Sequence, residues 1–462
     1  MRFLLFGLSM GCNGSENDPS TTTTDDTADT SQTVPQGFSV TDLQVTVHED
    51  MGSILVATWS QTGTASTWLE FSVDAGEWLT SPSTEREAGA AEELALGAPF
   101  EAEVQLRVAW EGGETKAITA TTDDLPEGAP VALAVEGNPS AWDAASPYVL
   151  LCMYGDNYSE SLRGVWAVII DRQGRVVWAK EINQFRVSLQ TQLSYDGTSI
   201  LIDQNSFWAI FDGGASSSIE RVNIEGEVLE SWDTPGLHHP FTELPDGTIA
   251  WGSVDGQFVD ESLKTLSPDG TERTLWSCRD FLKTEADGGG PGAYCGSNTL
   301  FYNASTDTFL YSFFSMETIV EIDYKTGDTV RYFGHTGENT WAFDPPESAF
   351  WWQHGAHITE WGTLLVSTKG ENNAKETILR EYAIDKDNQT LIEVFSFGTG
   401  EGLYGDTMGE ADYTISGNIQ HNLGSLTRIR EITPEGVVVW DVDWDASMLG
   451  RSSPVPDLYV LR

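Results

Sequence analysis

Positive charge is scarce in this chain: 24 Lys and Arg stand against 71 Asp and Glu, a formal net charge of −47. Binding to nucleic acid or to an anionic membrane surface needs clustered Lys and Arg, so neither nucleic acid nor a bare lipid surface is an expected partner. Cysteine is sparse as well, at four residues. No run approaches the roughly 20 apolar residues that span a bilayer as a helix, which excludes a multi-pass helical membrane protein. Helical periodicity is also missing over any stretch of about ten residues or more, which disfavours α/β architectures. What the chain does have is length and aromatic bulk. With 462 residues, 17 Trp, 20 Phe and 13 Tyr, it can bury a large core over two or three domains and is not disordered throughout.

The first 36 residues read as export machinery rather than fold. Met1-Arg2 supplies a positive charge, Phe3-Leu4-Leu5-Phe6-Gly7-Leu8 a short apolar stretch, and smaller residues lead to Cys12. This resembles a bacterial lipoprotein signal, in which the cysteine carries the lipid; Ser9 stands three residues before it where Leu is usual. Asn13 to Gln36 is nearly all Ser, Thr, Asp, Asn, Glu and Gly. Such a segment cannot bury enough apolar surface to offset its ordering entropy, so it reads as a solvated tether. Residues 1–36 are thus expected to make the protein an exported, membrane-anchored lipoprotein, periplasmic or on the cell surface, held by more than one acyl chain.

The remaining cysteines fit an oxidising compartment. Cys278 and Cys295 flank the Gly-rich run Gly288-Gly289-Gly290-Pro291-Gly292. A disulfide between them is expected, worth about 3 kcal/mol in the chain-entropy picture. A zinc site is the weaker reading, since there is no C-x-x-C pair. Cys152, in the apolar run Tyr148-Val149-Leu150-Leu151, reads as a buried core thiol.

Residues 37–125 alternate with period two. Val104, Leu106 and Val108 interleave with Glu103, Gln105 and Arg107; Ile54, Val56 and Trp59 mark another strand, and Phe71 and Val73 a third. Short strands with frequent turns indicate a β-sandwich. The Trp59 strand and Thr67-Trp68-Leu69-Glu70-Phe71-Ser72-Val73 weakly resemble a fibronectin type III domain. His48 stands alone there, and a spacer or adhesion role is the expectation.

From about residue 126 to 462 the chain repeats. Val168-Ile169-Ile170-Asp171-Arg172-Gln173-Gly174-Arg175-Val176-Val177-Trp178 is an apolar strand, a polar turn and a second strand. The pattern returns near Ile224-Glu225-Gly226, Pro268-Asp269-Gly270, Thr326-Gly327-Asp328, Asp385-Lys386-Asp387 and Pro434-Glu435-Gly436, a period of roughly 50 residues. A second hairpin element alternates with it, as at Tyr195-Asp196-Gly197, Pro245-Asp246-Gly247 and Glu360-Trp361-Gly362. Two hairpins make a four-stranded blade, so six copies predict an all-β, six-bladed β-propeller.

Three of the seven histidines fall where such a fold concentrates function. His239 and His354 each precede a second-element strand, in equivalent places of two blades, and His421 lies in the last such unit. Inner strands line a central channel, so these rings are expected to converge. His354 and His357, three apart on one strand, should face opposite sides and make a poor metal pair. His238 and His335 read as exposed loop residues.

Phe350-Trp351-Trp352-Gln353-His354-Gly355-Ala356, the Leu237-His238-His239 segment with Leu244-Pro245-Asp246-Gly247-Thr248, and Arg380-Glu381-Tyr382-Ala383-Ile384-Asp385 resemble the arylsulfotransferase (aryl sulfate sulfotransferase) family over about 145 to 445. The resemblance implies a six-bladed propeller that moves a sulfuryl group from a phenolic sulfate ester to another phenol. It implies neither a nucleotide sulfate donor nor a metal or other cofactor, and a histidine that is transiently sulfated. By the same resemblance His421 is the nucleophile and His239 and His354 are supporting histidines. The family's arginine after the His354 strand is missing; Lys369 or Lys375 would have to replace it, without the bidentate fork of a guanidinium. A propeller that binds a ligand or partner without catalysis is the other reading.

Overall fold

The computed structural model describes residues 37–155, 164–254, 260–284, 295–336, 341–370 and 374–462. The expected signal, tether and lipidated Cys12 lie outside the described residues.

Alternation builds the first unit. Val40–Val47, Leu55–Gln61 and Gly89–Ala95 form one antiparallel sheet, and Ala65–Val73 with Glu103–Trp110 centres the other. Leu55, Trp59, Leu69, Phe71, Leu106 and Val108 pack between the two sheets. One strand has a different phase from the expectation: Leu55, Ala57 and Trp59 point into the sandwich, while Ile54 and Val56 join the core of the adjoining propeller. The sandwich face is buried, and the opposite face is covered only in part, with Val56 half-buried and Thr58 exposed. Ser53 Oγ donates to the Val177 carbonyl at 2.8 Å, and the Tyr459 hydroxyl donates to the Leu94 carbonyl at 2.9 Å. The sandwich is therefore docked on the propeller rather than held off it as a spacer.

Six sheets follow in chain order, antiparallel apart from the short edge strand Ala342–Asp344, which joins the fifth in parallel. The innermost strands of blades two to six are Gln192–Leu193, Leu237–Glu243, Ser297–Asn303, Trp351–Ile358 and Glu410–Tyr413. Blade one takes its innermost strand, Met448–Val455, from the far end of the chain, paired to Tyr148–Tyr154. Blade six gains a fifth, outermost strand, Ala132–Gly137, from the start of the propeller. Both ends of the repeat are thus locked into the opposite end. The architecture is the six-bladed β-propeller that the repeat predicts.

Tryptophans on the outer strands tie three of the blades to the next one round the ring. Trp178 Nε1 donates to the Ile224 carbonyl at 2.8 Å, Trp276 Nε1 to Thr329 Oγ1 at 3.1 Å, and Trp440 Nε1 to the Arg172 carbonyl at 2.8 Å. Each buries a large apolar ring while satisfying its single donor. Cys278 and Cys295 are joined in a disulfide, and Cys152 is a buried free thiol.

Ring closure between blades six and one is electrostatic as well as covalent in path. Arg172 lies 2.5 Å from Glu431, with side-chain exposures of 5% and 0%. Arg172 Nε also donates to the Ser146 carbonyl at 2.8 Å, and Glu431 accepts from Asp143 N at 2.6 Å. Removing one member leaves the other charge buried and alone. Arg172→Met is expected to lower stability by about 3–5 kcal/mol, read from the denaturant midpoint. A loss below about 1 kcal/mol would show that the pair does not hold the closure.

Candidate active site

Regular strands send neighbouring side chains to opposite faces. Around the channel the inner strands depart from regularity, and those departures aim the histidines. In blade three, Leu237 pairs with Ser253 and Phe241 with Trp251, so the inner strand carries extra residues between them. Pro240 sits in this bulge, where a missing backbone donor is tolerated. His238 and His239 consequently turn to the same cavity. In blade five, Trp351 pairs with Lys369, His354 with Ser367 and Ala356 with Val366, which places irregularities on both sides of His354. Trp352 and Gly355 take left-handed φ values of 44° and 62° there. A Cβ on Gly355 would lie 2.3 Å from the Cβ of Glu410 in the next blade, so only glycine fits.

The resulting cavity holds about 420 Å³. Its walls are apolar: Tyr154, Leu189, Trp208, Phe314, Met408 and Met448. Its polar groups are His238, His239 and His354, with Ser297, Asn298, Ser315 and Thr407. The Phe314 and His354 rings lie 4.9 Å apart, and those of Trp208 and His239 5.3 Å. Trp208 belongs to the short helix Phe207–Ile210, and its Nε1 donates to the His238 carbonyl at 3.0 Å. Asn205 Nδ2 donates to the same carbonyl at 3.0 Å, which pins the bulge.

Below the cavity the channel is closed by polar contacts between inner strands. Gln190 Nε2 donates to the Asn298 carbonyl at 2.8 Å, and Arg451 lies 3.3 Å from Glu410 and donates to Gln192 Oε1 at 2.9 Å. Burial pushes the Glu410 carboxyl up to about 7, although Arg451 and the Ser452 N–H draw it down.

His239 and His354 are held neutral near pH 7. Burial depresses His239 well below 6.5, and the adjacent His238 and His354 depress it further. Burial, and next the Lys369 ammonium, depress His354 to about 3, against a hydrogen bond to the Trp352 backbone. A neutral imidazole offers one N–H and one lone pair. The site can therefore both donate to an anion and attack an electrophile.

The placements of the sequence candidates differ from one another. His239 and His354 line one cavity. His421 does not: it lies on the second strand of blade six, is 2% exposed, and its Nε2 is 3.0 Å from Ser367 Oγ between the blades. The blade-six counterpart of His239 and His354 is Gly409, since each stands eight residues before its turn glycine (Gly247, Gly362 and Gly417). Lys369 is 6% exposed, its Nζ 5.0 Å from the centre of the Phe314 ring and bonded to the Asp406 carbonyl. Lys375 is exposed and does not line the cavity.

Two further expectations change. His357 does not face away from His354. The irregularity between them breaks the alternation, and His357 meets Phe301 of blade four and Asp412 of blade six deeper in the channel. His238 is no exposed loop residue; it is 1% exposed, with Nδ1 3.2 Å from Glu261 Oε1. Sequence reasoning misread His238 as an exposed loop residue and did not single out Glu261. Pro240 inside a strand was the available sign of a bulge that brings two adjacent histidines to one side.

A six-bladed propeller with paired neutral histidines over an aromatic cavity defines a class of channel-centred propeller. The family to which it belongs is then direct: the profile of arylsulfotransferase (ASST) matches residues 159–448, and the chain is a member of that family. No curated protein matches. Among solved structures, a protein of unknown function from Bacteroides caccae is 14% identical, covering 67% of this chain and 99% of its own, with a TM-score of 0.45. A virginiamycin B lyase from Staphylococcus aureus is 12% identical over 69% of this chain and 98% of its own, at 0.39. An auxiliary nutrient binding protein from Bacteroides ovatus is 11% identical over 88% and 90%, at 0.37.

Gly355→Ala should cost about 1–2 kcal/mol for the left-handed backbone alone, and more for the contact with Glu410. Gly362→Ala, at φ 79° but with open space around it, should show only the backbone part. Equal denaturant midpoints for the two variants would contradict the close approach of blades five and six.

Proposed function

We propose that this chain transfers a sulfuryl group from an aryl sulfate ester to a phenol by way of a histidine. The observation that carries the reading is the pair His239 and His354 in one apolar, aromatic-walled cavity of a chain in the arylsulfotransferase family. An aryl ring suits the walls, and the sulfate end needs the polar groups.

His354 is the nucleophile in this reading. One ring nitrogen is occupied with the Trp352 backbone, which leaves the other with a lone pair. That nitrogen forms a bond to sulfur as the bond from sulfur to the aryl oxygen breaks, and the phenolate leaves with the electron pair. A second phenol gives up its proton to the departed phenolate and forms a bond from its oxygen to sulfur as the nitrogen–sulfur bond breaks, which returns the electron pair to the imidazole. His239 donates to the sulfuryl oxygens, where charge gathers in a loose transition state. Lys369 supplies a point charge behind Phe314. Export is part of the proposal, supported by the Cys278–Cys295 disulfide and the leader-like residues up to Cys12. The aryl sulfate and phenol are the proposed partners, with the lipid as anchor.

A second reading, ligand binding without transfer, is favoured by Gly409 standing at the blade-six position and by the missing arginine.

Wild-type protein should release nitrophenol from a nitrophenyl sulfate when a phenol acceptor is present. His354→Ala should abolish release, His239→Ala should lower kcat by about 10²–10³-fold, and His421→Ala should leave kcat within a few-fold. Wild-type protein that binds the ester without turning it over would establish the second reading.

The pH dependence is a separate check. His354 titrates near 3 rather than 6.5, so its neutral form persists as pH falls. kcat should hold its plateau through pH 6.5 and down to about 5. An acid limb centred at the ordinary imidazole value would overturn the assignment of a buried neutral nucleophile.

A further inference from the structure

Glu261 lies in the third blade on the strand Glu261–Leu266, 2% exposed, and does not line the cavity. Its carboxylate is nonetheless surrounded by donors. Ser297 N donates to Oε2 at 2.9 Å, Ser297 Oγ donates to Oε1, and the Tyr311 hydroxyl donates to Oε1 at 3.3 Å. His238 Nδ1 lies 3.2 Å from the same Oε1. Burial raises the carboxyl's pKa, but His238 and Ser297 outweigh burial and hold it below its ordinary range. An ionised carboxylate only accepts, so the proton of that contact sits on His238 Nδ1.

The same nitrogen lies 3.2 Å from His239 Nδ1. Two N–H groups cannot point at each other across that distance. With one proton on His238 Nδ1, shared between Glu261 Oε1 and His239 Nδ1, a lone pair on His239 Nδ1 is the arrangement that keeps two hydrogens from facing each other. Neutral His239 then carries its proton on Nε2.

We propose that Glu261 is a positioning residue that acts through His238 to fix His239 as its Nε2–H tautomer, so that the cavity holds one imidazole committed to donating and a second, His354, committed to attack. The inference rests on the transfer reading for its use but not for its geometry. A carboxylate that orients one imidazole against the next makes the division of roles independent of substrate. The relay is built from two blades, since Glu261 and His238 come from blade three and Ser297 from the inner strand of blade four. Phe207 and Trp208 wall it, with ring distances to His238 of 4.6 Å and 5.4 Å. They limit exchange with water, which would otherwise let the tautomers interconvert.

The test is nitrogen NMR of the full chain labelled in its seven histidines, with His239 assigned by loss of its signals in His239→Asn. In wild-type protein His239 is expected to show a protonated Nε2 and an unprotonated Nδ1. Glu261→Gln removes the charge and replaces one acceptor oxygen with an amide that clashes with the Ser297 donors. It should mix the two tautomers and lower kcat by at least about tenfold, with KM moving less. A wild-type spectrum with His239 protonated at Nδ1 overturns the inference even if Glu261→Gln does not fold. An unchanged tautomer in a folded Glu261→Gln protein overturns it as well. The expected wild-type tautomer together with no turnover of any aryl sulfate would sink the transfer reading and leave the relay standing. Turnover with the wrong tautomer would do the reverse.

Discussion

The strict alternation of side chains along a β-strand is the constraint on which this site depends. A propeller offers its channel only the inner strand of each blade, and a regular inner strand offers every second residue. Two adjacent histidines cannot share one cavity on those terms. The chain breaks the rule locally, with Pro240 in blade three and with Trp352 and Gly355 at positive φ in blade five. Strain of this kind survives only where the surroundings hold it. Here the Asn205 and Trp208 donors hold the His238 carbonyl, and Thr299 Oγ1 accepts from Gly355 N at 2.9 Å. Irregularity is not confined to these inner strands, since the third and fourth strands of every blade also shift register.

Desolvation then sets the chemistry. Inside an apolar cavity an imidazole prefers to be neutral, and burial pushes His239, His354 and His357 in that direction. A neutral ring is divided into a donor and an acceptor, and which nitrogen is which depends on its neighbours. His354 gets its division from a backbone carbonyl, and His239 from a second imidazole backed by a carboxylate. The same low polarity that keeps the rings uncharged strengthens any hydrogen bond they make to an anionic oxygen. Burial and function therefore pull the same way, which is unusual for a titratable group in a core.

The architecture was legible in the sequence because it is written in local, repeated signals: hairpin turns, alternating apolar runs, and a period that recurs often enough to count. His239 and His354 were legible for the same reason, as matched offsets from turn glycines. His421 shows where that reasoning ends. It belongs to the right blade but stands four residues from the turn glycine instead of eight, and that difference moves it from the inner strand to the next, between blades. Glu261 and Ser297 could not be found this way at all, being 36 residues apart in sequence and joined only by the packing of two blades. The phase of Leu55–Gln61 was misjudged because Ile54 and Val56, on the side turned to the propeller, are as apolar as the residues that enter the sandwich.

The absence of an imidazole at Gly409 and of an arginine after the His354 strand changes how charge must be handled. A guanidinium would bridge two sulfuryl oxygens at once; the Lys369 ammonium is a single charge and is already engaged with the Asp406 carbonyl and two aromatic faces. Its attraction to an anion in the cavity acts through Phe314 rather than by contact. In the proposed transfer, directional stabilisation of the peripheral oxygens falls to neutral donors, among them His239, whose Nδ1 is already engaged with His238. A neutral donor gives less than a cation would, but its strength depends wholly on orientation. A site that lacks the fork of an arginine thus has more reason to fix a histidine, and the buried carboxylate behind His238 is the group that does so.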